Sequence, residues 1–326
     1  MNPVRRVVPG FALKEATAGI RVAVVGDVML DRYWRGDVER ISPESPVPVV
    51  DIRSTECRLG GAANVAANVA SLGAACTLVS AVGEDEAGRA LCDLLARTGI
   101  DSRVRRSESM TTIEKLRIVA RNQQLLRVDF ESRPTHEQLA RSLDDVREVI
   151  DAVDALILSD YGKGGLTHIA RMIELARAAG VPVVVDPKGG DYSRYRGAAM
   201  ITPNLREFEQ AGGVIESEET LQSSAEELIR RFDLGGILVT RSEHGMTLFT
   251  GGRRIHGAAL AREVFDVSGA GDTVVAVIGV GMAAGLDFQD ILDLANRAAG
   301  QVVGKFGTAV VDVGALEEEL ASEAST

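Results

Sequence analysis

The chain has 326 residues, 45% of them hydrophobic, which is enough to bury the core of one large α/β domain or two small ones. Its formal net charge is −11 and it has no Lys/Arg-rich block, so nucleic acid is not expected as a partner. Three cysteines without Cys-x-x-Cys spacing and four scattered histidines argue against disulfides and a transition-metal site. The longest apolar run, Thr273–Leu286, is too short to cross a bilayer, and the N-terminus lacks a secretory pattern. We therefore expect a cytoplasmic protein with no membrane partner.

Strands and helices alternate along most of the chain. Continuous apolar runs are typical of strands buried on both faces of a parallel sheet, and short links favour helices on both sides. The pattern therefore predicts an α/β fold with a doubly wound, mostly parallel sheet and helices on both faces. The predicted strands are 21–25, 76–82, 155–158, 181–185, 200–202 and 237–240, with a hairpin over 246–256. The predicted helices are 65–72, 87–97, 139–153, 166–179 and 223–232, and a helix-length apolar run follows residue 272.

Two segments interrupt this alternation. Residues 31–58 contain three prolines and are predicted to be extended. Residues 111–130 alternate apolar and charged side chains around a turn at Asn122-Gln123, which predicts a β-hairpin. Together the two segments would form a small sheet separate from the main one. The alternative is that both are edge strands of the main sheet.

The stretch Val264–Thr273 has two aspartates around the compact turn Gly269-Ala270-Gly271. Small residues at a helix start let backbone N–H groups approach an anion, and the helix dipole favours negative charge there. Asp272 lies on the first turn, where its carboxylate could take a proton from a hydroxyl beside a bound phosphate. We therefore predict a base and an anion cradle for phosphoryl transfer to an alcohol. The alternative is an ordinary helix start after a glycine turn.

Polar residues follow four predicted strands, at the edge where open α/β sheets bind ligands. They are Asp27, Asp160 with Lys163, Asp186 with Lys188, and Asn204 with Glu207. Lysines in glycine-flanked loops suit a phosphate, and Arg117 could serve the same anion from the hairpin. Neither a P-loop nor a dinucleotide-binding fingerprint is present, which disfavours those two nucleotide-binding classes.

Several of these residues have two interpretations from the sequence alone. Asn204 and Glu207 could hold hydrated Mg²⁺ and nucleotide phosphates, or form a helix capping box. Asp31 and Asn64 could contact a sugar, or cap local backbone. Residues 240–245 could line a nucleotide, or form a turn between strands.

Three motifs follow one another along the chain: Gly60-Gly61 with Asn64, then Asn204-x-x-Glu207, then Asp266-Val-Ser-Gly-Ala-Gly-Asp-Thr273. In this order they resemble the ribokinase (PfkB) carbohydrate kinases, over roughly residues 20–313. The resemblance implies one ribokinase-like kinase domain over 1–326, with a β lid formed by about 31–58 and 111–132. It also implies an ATP-dependent sugar kinase that uses Mg²⁺ and forms a homodimer through the lid.

The resemblance also implies roles for single residues. Asp272 would be the catalytic base, and Gly269, Ala270 and Gly271 the anion hole for the transferred phosphoryl group. Asn204 and Glu207 would bind the nucleotide, with Glu207 holding Mg²⁺ through water. The remaining sites are nucleotide contacts at Thr240, Arg241, Ser242, Gly245, Gly271 and Asn296, sugar contacts at Asp31, Gly60, Gly61 and Asn64, and a monovalent-cation site, for K⁺, at Asp266 and Gly307.

Four further segments resemble one branch of this family, the heptose 7-phosphate kinases. They are Gly26–Trp34, Arg40–Val49, Arg121–Gln124 and Ser159–Gly164. This resemblance implies phosphorylation of the anomeric C1 hydroxyl of D-glycero-D-manno-heptose 7-phosphate, on the route to ADP-heptose for lipopolysaccharide, by a stand-alone kinase. Arg117, Lys163 and Lys188 are then the candidate counter-charges for the sugar phosphate. The alternatives are a family kinase for another sugar or a nucleoside, and a non-catalytic sugar or nucleotide sensor.

Overall fold

The computed structural model describes residues 12–121, 123–132, 136–260 and 264–323. Its strands are β1 (Arg21–Gly26), β2 (Val28–Ile41), β3 (Pro48–Gly61), β4 (Ala75–Gly83), β5 (Asp101–Ser107), β6 (Ile113–Ala120), β7 (Gln123–Phe130), β8 (Ala155–Ser159), β9 (Val183–Asp186), β10 (Met200–Ile201), β11 (Gly236–Thr240), β12 (Met246–Thr250) and β13 (Arg253–Gly257). Its helices are α1 (Leu13–Thr17), α2 (Ala62–Ser71), α3 (Glu86–Leu95), α4 (His136–Val149), α5 (Ile169–Ala178), α6 (Leu205–Gln210), α7 (Glu218–Phe232), α8 (Ala270–Ala283), α9 (Phe288–Val303) and α10 (Val313–Glu323).

The main sheet has nine strands in the order β13-β12-β11-β10-β9-β8-β1-β4-β5. Its strands pair in parallel from β11 to β5, and β12 and β13 add an antiparallel hairpin at one edge. The order runs outward in both directions from β1 and β8. Because the strands from β11 to β5 are parallel, their carboxyl ends share one rim of the sheet. The predicted doubly wound, mostly parallel sheet is confirmed.

Apolar side chains on the two faces of the sheet build two separate cores. In β1, Val22 and Val24 join the core under α2, α8 and α9, whereas Ala23 and Val25 join the core under α5 and α7. Alternate residues of a strand point to opposite faces, so only a continuous apolar run can fill both layers. None of the helices in the described ranges is long and apolar enough to cross a membrane.

Strand β5 was not predicted. It lies at the sheet edge and pairs only with β4, and its sequence Asp-Ser-Arg-Val-Arg-Arg-Ser has a single apolar residue. An edge strand needs little apolar surface, so its sequence carries little of the signal that identified the central strands. The predicted helix over 139–153 also differs, because α4 ends at Val149 and a 3₁₀ turn, Ile150–Ala152, follows.

The two irregular segments form a separate four-stranded sheet in the order β3-β2-β6-β7, which we call the lid. β2 pairs antiparallel with β3 and parallel with β6, and β6 pairs antiparallel with β7. The separate sheet and the hairpin are confirmed, and the alternative of edge strands in the main sheet is wrong. In the predicted hairpin turn, Asn122 lies outside the described residues.

Candidate active site

The carboxylate of Asp272 lies on the first turn of α8 and is only 2% exposed. Its Oδ2 accepts a hydrogen bond of 2.8 Å from Asn64 Nδ2, and its Oδ1 accepts one of 2.6 Å from the hydroxyl of Tyr161. Asn64 belongs to α2, which begins directly after the glycine pair Gly60-Gly61. Two of the predicted site residues, Asp272 and Asn64, are therefore in direct contact.

Burial raises the pKa of Asp272 to about 6, even though the bonds from Asn64 and Tyr161 act in the opposite direction. The negative charge of Asp31 raises this pKa further, and the ammonium group of Lys115 lowers it. A carboxylate with a pKa near 6 is still ionised at pH 7 and is a stronger base than an exposed aspartate. The site thus holds a proton acceptor suited to a hydroxyl group.

The turn before α8 leaves room for an anion. Gly269 has φ +81°, and a Cβ there would lie 2.8 Å from Asn64 Nδ2, so a side chain would be both strained and crowded. A Cβ on Gly271 would meet nothing within 4 Å, so this residue faces open space. The amides of a first helical turn lack carbonyl partners within their own helix and attract anions. A phosphoryl group therefore fits over the helix start, next to Asp272.

The lid brings a second buried carboxylate near Asp272, since the charge of Asp31 acts on the pKa of Asp272. Asp31 on β2 is 2% exposed, and its Oδ1 accepts a 2.6 Å bond from Nη1 of Arg117 on β6. A Cβ on Gly60 would lie 2.6 Å from Asp31 Oδ2, and one on Gly61, at φ +57°, would lie 2.4 Å from the Asp27 carbonyl oxygen. The two glycines therefore let β3 approach β2 closely, just before α2 begins with Asn64 in its first turn.

Lys115 on the lid also acts on Asp272, since its charge lowers the pKa of that carboxyl. It is in register with Asp31 across the β2–β6 pair, so their side chains share one face. Its Nζ lies 5.4 Å from the centroid of the Tyr161 ring, and burial lowers its pKa. Asp272, Tyr161 and Lys115 thus form a chain of neighbours from the start of α8 to the lid.

A buried aspartate holds the loop that carries Tyr161. Asp27, at the end of β1, accepts bonds from the backbone N–H groups of Tyr161, Lys163 and Gly165, at 3.2, 3.0 and 2.9 Å. Burial raises the pKa of Asp27, and these three bonds oppose the rise. The polar residue predicted at the end of the first strand therefore positions the glycine-rich loop after β8.

The three cations predicted for the sugar phosphate are each paired with a carboxylate. Arg117 pairs with Asp31, Lys163 pairs with Glu131 at the end of the lid, and Lys188 Nζ lies 3.0 Å from Glu207 Oε1. All three face the rim or the lid. A substrate phosphate would have to share these cations with the carboxylates, or displace the carboxylates from them.

Asn204 and Glu207 form the capping box that was one of the two interpretations. Asn204 Oδ1 accepts a 2.9 Å bond from the Glu207 N–H, and Glu207 Oε2 accepts a 3.2 Å bond from the Asn204 N–H. The box is compatible with the second interpretation, because Glu207 also lies near Asp186 at the end of β9. Removal from water and the charges of Asp272 and Glu207 raise the pKa of Asp186 well above its usual range.

The predicted nucleotide contacts come from the end of β11, the turn after it, and α9. The Thr240 N–H donates to the Pro203 carbonyl oxygen at 2.9 Å, which brings the end of β11 next to Asn204. Ser242 and Gly245, at φ +52° and +77°, form a tight turn, while the Arg241 guanidinium is held by Glu218. Asn296 on α9 is 7% exposed, and a Cβ on Gly257 would lie 2.3 Å from its Nδ2.

The predicted cation site joins two chain segments. The carboxylate of Asp266 accepts bonds of 2.9 Å from the N–H groups of Ser268 and Gly307. Burial would raise the pKa of Asp266, but these bonds outweigh it and the pKa is lowered. Asp266 therefore fastens the turn before α8 to the segment after α9.

Residues 20–313 match the family model described as pfkB family carbohydrate kinase. The chain belongs to this family. "Bifunctional protein HldE" of Pseudomonas aeruginosa is 51% identical over 303 residues, which cover 93% of this chain and 64% of that protein. The chain thus spans less than two thirds of the length of this relative. It is an ATP-dependent sugar kinase, as the resemblance to this family implied.

Solved kinase structures share the fold. Phosphofructokinase-2 from Escherichia coli, in complex with substrates and products, superposes with a TM-score of 0.79 at 18% identity, over 94% of this chain and 99% of that one. Ribokinase from Arabidopsis thaliana, complexed with ribose and ATP, gives 0.73 at 21% identity, over 92% and 99%. At such low identity the likeness supports the fold alone.

Two residues of this carbohydrate kinase's cleft were missed in the sequence. Tyr161 lies inside the segment Ser159–Gly164, in which only Asp160 and Lys163 were predicted to be functional. Lys115 belongs to the alternating hairpin, and the alternation alone does not say which face meets the cleft. An aromatic residue in a glycine-rich loop directly after a strand was the available signal for Tyr161.

Proposed function

We propose that this kinase transfers the γ-phosphoryl group of ATP to the C1 hydroxyl of D-glycero-D-manno-heptose 7-phosphate. The observation that carries the proposal is the buried carboxylate of Asp272 at a glycine-lined helix start, bonded to Asn64 and close to Asp31. The choice of heptose rests on the four segments that resemble heptose 7-phosphate kinases and on the relative named HldE. The product would be the 1,7-bisphosphate, a precursor of ADP-heptose for lipopolysaccharide, made in the cytoplasm.

The chemistry follows from the contacts of the base. Asp272 takes the proton from the C1 hydroxyl while the C1 oxygen forms a bond to the γ-phosphorus and the bond from phosphorus to the ADP oxygen breaks. The first-turn amides of α8 stabilise the charge on the transferred group. Asn64 keeps the carboxylate in place, and Asp31 would bind sugar hydroxyls from the lid.

The acidic rim fits a divalent cation. The negative charges of Asp272 and Glu207 both raise the pKa of Asp186, and Lys188 is the cation paired with Glu207. Within the described residues, no three acidic, histidine or cysteine side chains are arranged to hold a metal directly. We therefore propose that Glu207 holds Mg²⁺ through water, since Mg²⁺ keeps several of its waters in such sites. Bound Mg²⁺ would neutralise phosphate charge.

A monovalent cation such as K⁺ is a further part of the proposal. Asp266 supplies the negative charge, and its bond to the Gly307 N–H brings two loops together beside the start of α8. Carbonyl groups of those loops would complete such a site. The test is the dependence of turnover on KCl at constant ionic strength, in the wild type and in Asp266→Asn.

The deciding experiment is an assay of ADP release with heptose 7-phosphate, compared with fructose 6-phosphate, ribose and a nucleoside. The proposal expects kcat/KM for heptose 7-phosphate to exceed the others, and product analysis to locate the new phosphate at C1. A higher value for another substrate would assign a different sugar or nucleoside kinase. ATP binding without any transfer would indicate a sensor.

The contact with the 7-phosphate can be tested separately. Lys163→Ala and Lys188→Ala should each raise the KM for the sugar phosphate more than the KM for ATP, because charge-assisted bonds to the phosphate are lost. Arg171→Ala is a matched control, since Arg171 is paired with Glu174 on α5, away from these loops. An unchanged KM for the sugar phosphate would remove that lysine from the pocket.

The lid also supports a homodimer. Its strands and the adjoining loop expose large apolar side chains, namely Ile41, Val47, Ile52, Leu125, Leu126 and Phe130, which are between 37% and 62% exposed. An apolar surface of this kind is typical of an interface between protein chains. We propose that a second copy of the chain covers it.

A further inference from the structure

Two hydrogen-bond donors from different parts of the chain hold the carboxylate of Asp272. Asn64 Nδ2 reaches Oδ2 at 2.8 Å from α2, and the Tyr161 hydroxyl reaches Oδ1 at 2.6 Å from the loop after β8. With one donor on each oxygen, the plane of the carboxylate cannot rotate freely. Each oxygen keeps a second lone pair, so the substrate hydroxyl can still donate to the base.

Tyr161 is itself fixed on two sides. Its backbone N–H is bonded to Asp27 Oδ2 at 3.2 Å, and its ring lies 5.4 Å from Nζ of Lys115 on the lid. A cation at this distance from an aromatic face is attracted to it. The position of the hydroxyl therefore depends on both the main sheet and the lid.

The phenol acts only as a donor. Removal from water, and the negative charges of Asp272 and Asp186, raise the pKa of Tyr161 well above its usual value of 10. It therefore keeps its proton at every pH at which the enzyme would be assayed. Tyr161 cannot replace Asp272 as the base, but it can influence how that base behaves.

We propose that Tyr161 is a positioning residue, whose hydroxyl orients the carboxylate of Asp272 for proton abstraction and favours its ionised form. This inference rests on Asp272 being the base in the proposed function, but not on which sugar is the substrate. The role requires the hydroxyl alone, so a phenylalanine that keeps the ring and its contact with Lys115 should abolish it.

The test is the variant Tyr161→Phe, in which the titration of Asp272 is measured first, in the protein without substrate. Titration of the Asp272 side-chain carboxyl by ¹³C NMR, with the signal assigned from Asp272→Asn, should give a pKa about one unit higher than in the wild type. Tyr192→Phe is the matched control, because the buried Tyr192 hydroxyl has no hydrogen-bond partner among the described residues. It should leave the Asp272 titration unchanged.

The kinetic readout is the acid limb of the pH profile of kcat/KM. In Tyr161→Phe this limb should move upward with the titration, giving about a fivefold loss at pH 6 and less than about twofold at pH 8 from ionisation alone. The KM for ATP should not change, and Tyr161→Phe should add no further loss in an Asp272→Asn background.

Either of two results would overturn the inference: an Asp272 titration that is the same in Tyr161→Phe as in the wild type, or one that Tyr192→Phe shifts equally. The titration needs no substrate. If heptose 7-phosphate were not phosphorylated at all, the proposed function would fail while the role of Tyr161 would still be decided.

Discussion

Replacing Asp272 by Asn should make the folded protein more stable at neutral pH while it removes the proposed base. The carboxylate is 2% exposed, and burial, only partly offset by the bonds from Asn64 and Tyr161, raises its pKa from 3.8 to about 6. The folded state therefore favours the protonated acid. Asn has nearly the same shape as that acid and carries no charge at any pH.

The magnitude follows from linkage between protonation and folding. A rise of about two pKa units, at about 1.4 kcal/mol each, corresponds to about 3 kcal/mol. Because the folded state has the higher pKa, the protein is most stable while Asp272 is protonated. This contribution to the free energy of unfolding is complete below pH 3.8 and is lost as the pH rises through about 6. Above that pH the wild type bears the full cost of a buried charge, and Asp272→Asn does not.

The assay is denaturant unfolding of both proteins from pH 5 to pH 8. The advantage of Asp272→Asn should grow by roughly 1.4 kcal/mol over this range, and its midpoint of thermal unfolding at pH 8 should be higher by about 4 °C. A stability difference that does not change between pH 5 and pH 8 would refute a buried, ionised carboxylate with a raised pKa. Any effect of shape alone is independent of pH and cancels in this comparison.

Asp85→Asn is the control of opposite sign. Asp85 lies at the start of α3. Burial would raise its pKa, but hydrogen bonds from Thr112 and Gly88 outweigh burial, and the pKa is lowered. Its stabilising contribution is therefore present above the unfolded pKa and is lost only at lower pH. The variant should be destabilised by a constant amount between pH 5 and pH 8, where Asp272→Asn shows a slope.

Three further predictions follow from the same geometry. The kcat/KM of the wild type should fall tenfold per pH unit below about pH 6, as Asp272 becomes protonated; a profile flat to pH 5 would contradict this. Gly271→Ala should leave stability unchanged or raise it by up to about 1 kcal/mol, since its Cβ meets nothing within 4 Å. Its kcat should nevertheless fall about tenfold or more, because the methyl group occupies the anion's space; undiminished turnover would move the transferred group elsewhere. Leu126→Glu, at a site 54% exposed on the lid, should yield monomers by light scattering, with Val214→Glu as the control; an unchanged mass would exclude this face as the dimer contact.

Much of the fold could be predicted because its signals are local. Strands β1 and β8 are continuous apolar runs, and such runs are stable only where both faces are covered. Strand β5 carries charged residues because only one neighbour pairs with it, so no local pattern marked it. The order of the strands, by contrast, depends on crossover connections, which cannot be predicted from any short segment of the sequence.

The candidate site also contains features with a local sequence signal and features that depend on residues distant in the chain. The start of α8 could be predicted because the glycine turn, the first-turn amides and Asp272 lie within four consecutive residues. The pairing of Asp31 with Arg117 could not, because a parallel ladder joins residues 86 positions apart. Both were predicted as ligand contacts, but the pattern could not indicate that each is the other's buried partner. Tyr161 was missed for the same reason, since its partner Asp272 is 111 positions away.

The strength of the base depends on both sheets. Removal from water is the largest cause of the raised pKa of Asp272, and two groups on the lid, Asp31 and Lys115, act on that pKa in opposite directions. The lid also places Lys115 against Tyr161, which donates to the base. If β6 moved away from this position, water would reach the carboxylate and its pKa would return toward 3.8. We therefore expect the carboxylate to be a stronger proton acceptor while β6 keeps this position than when β6 is displaced.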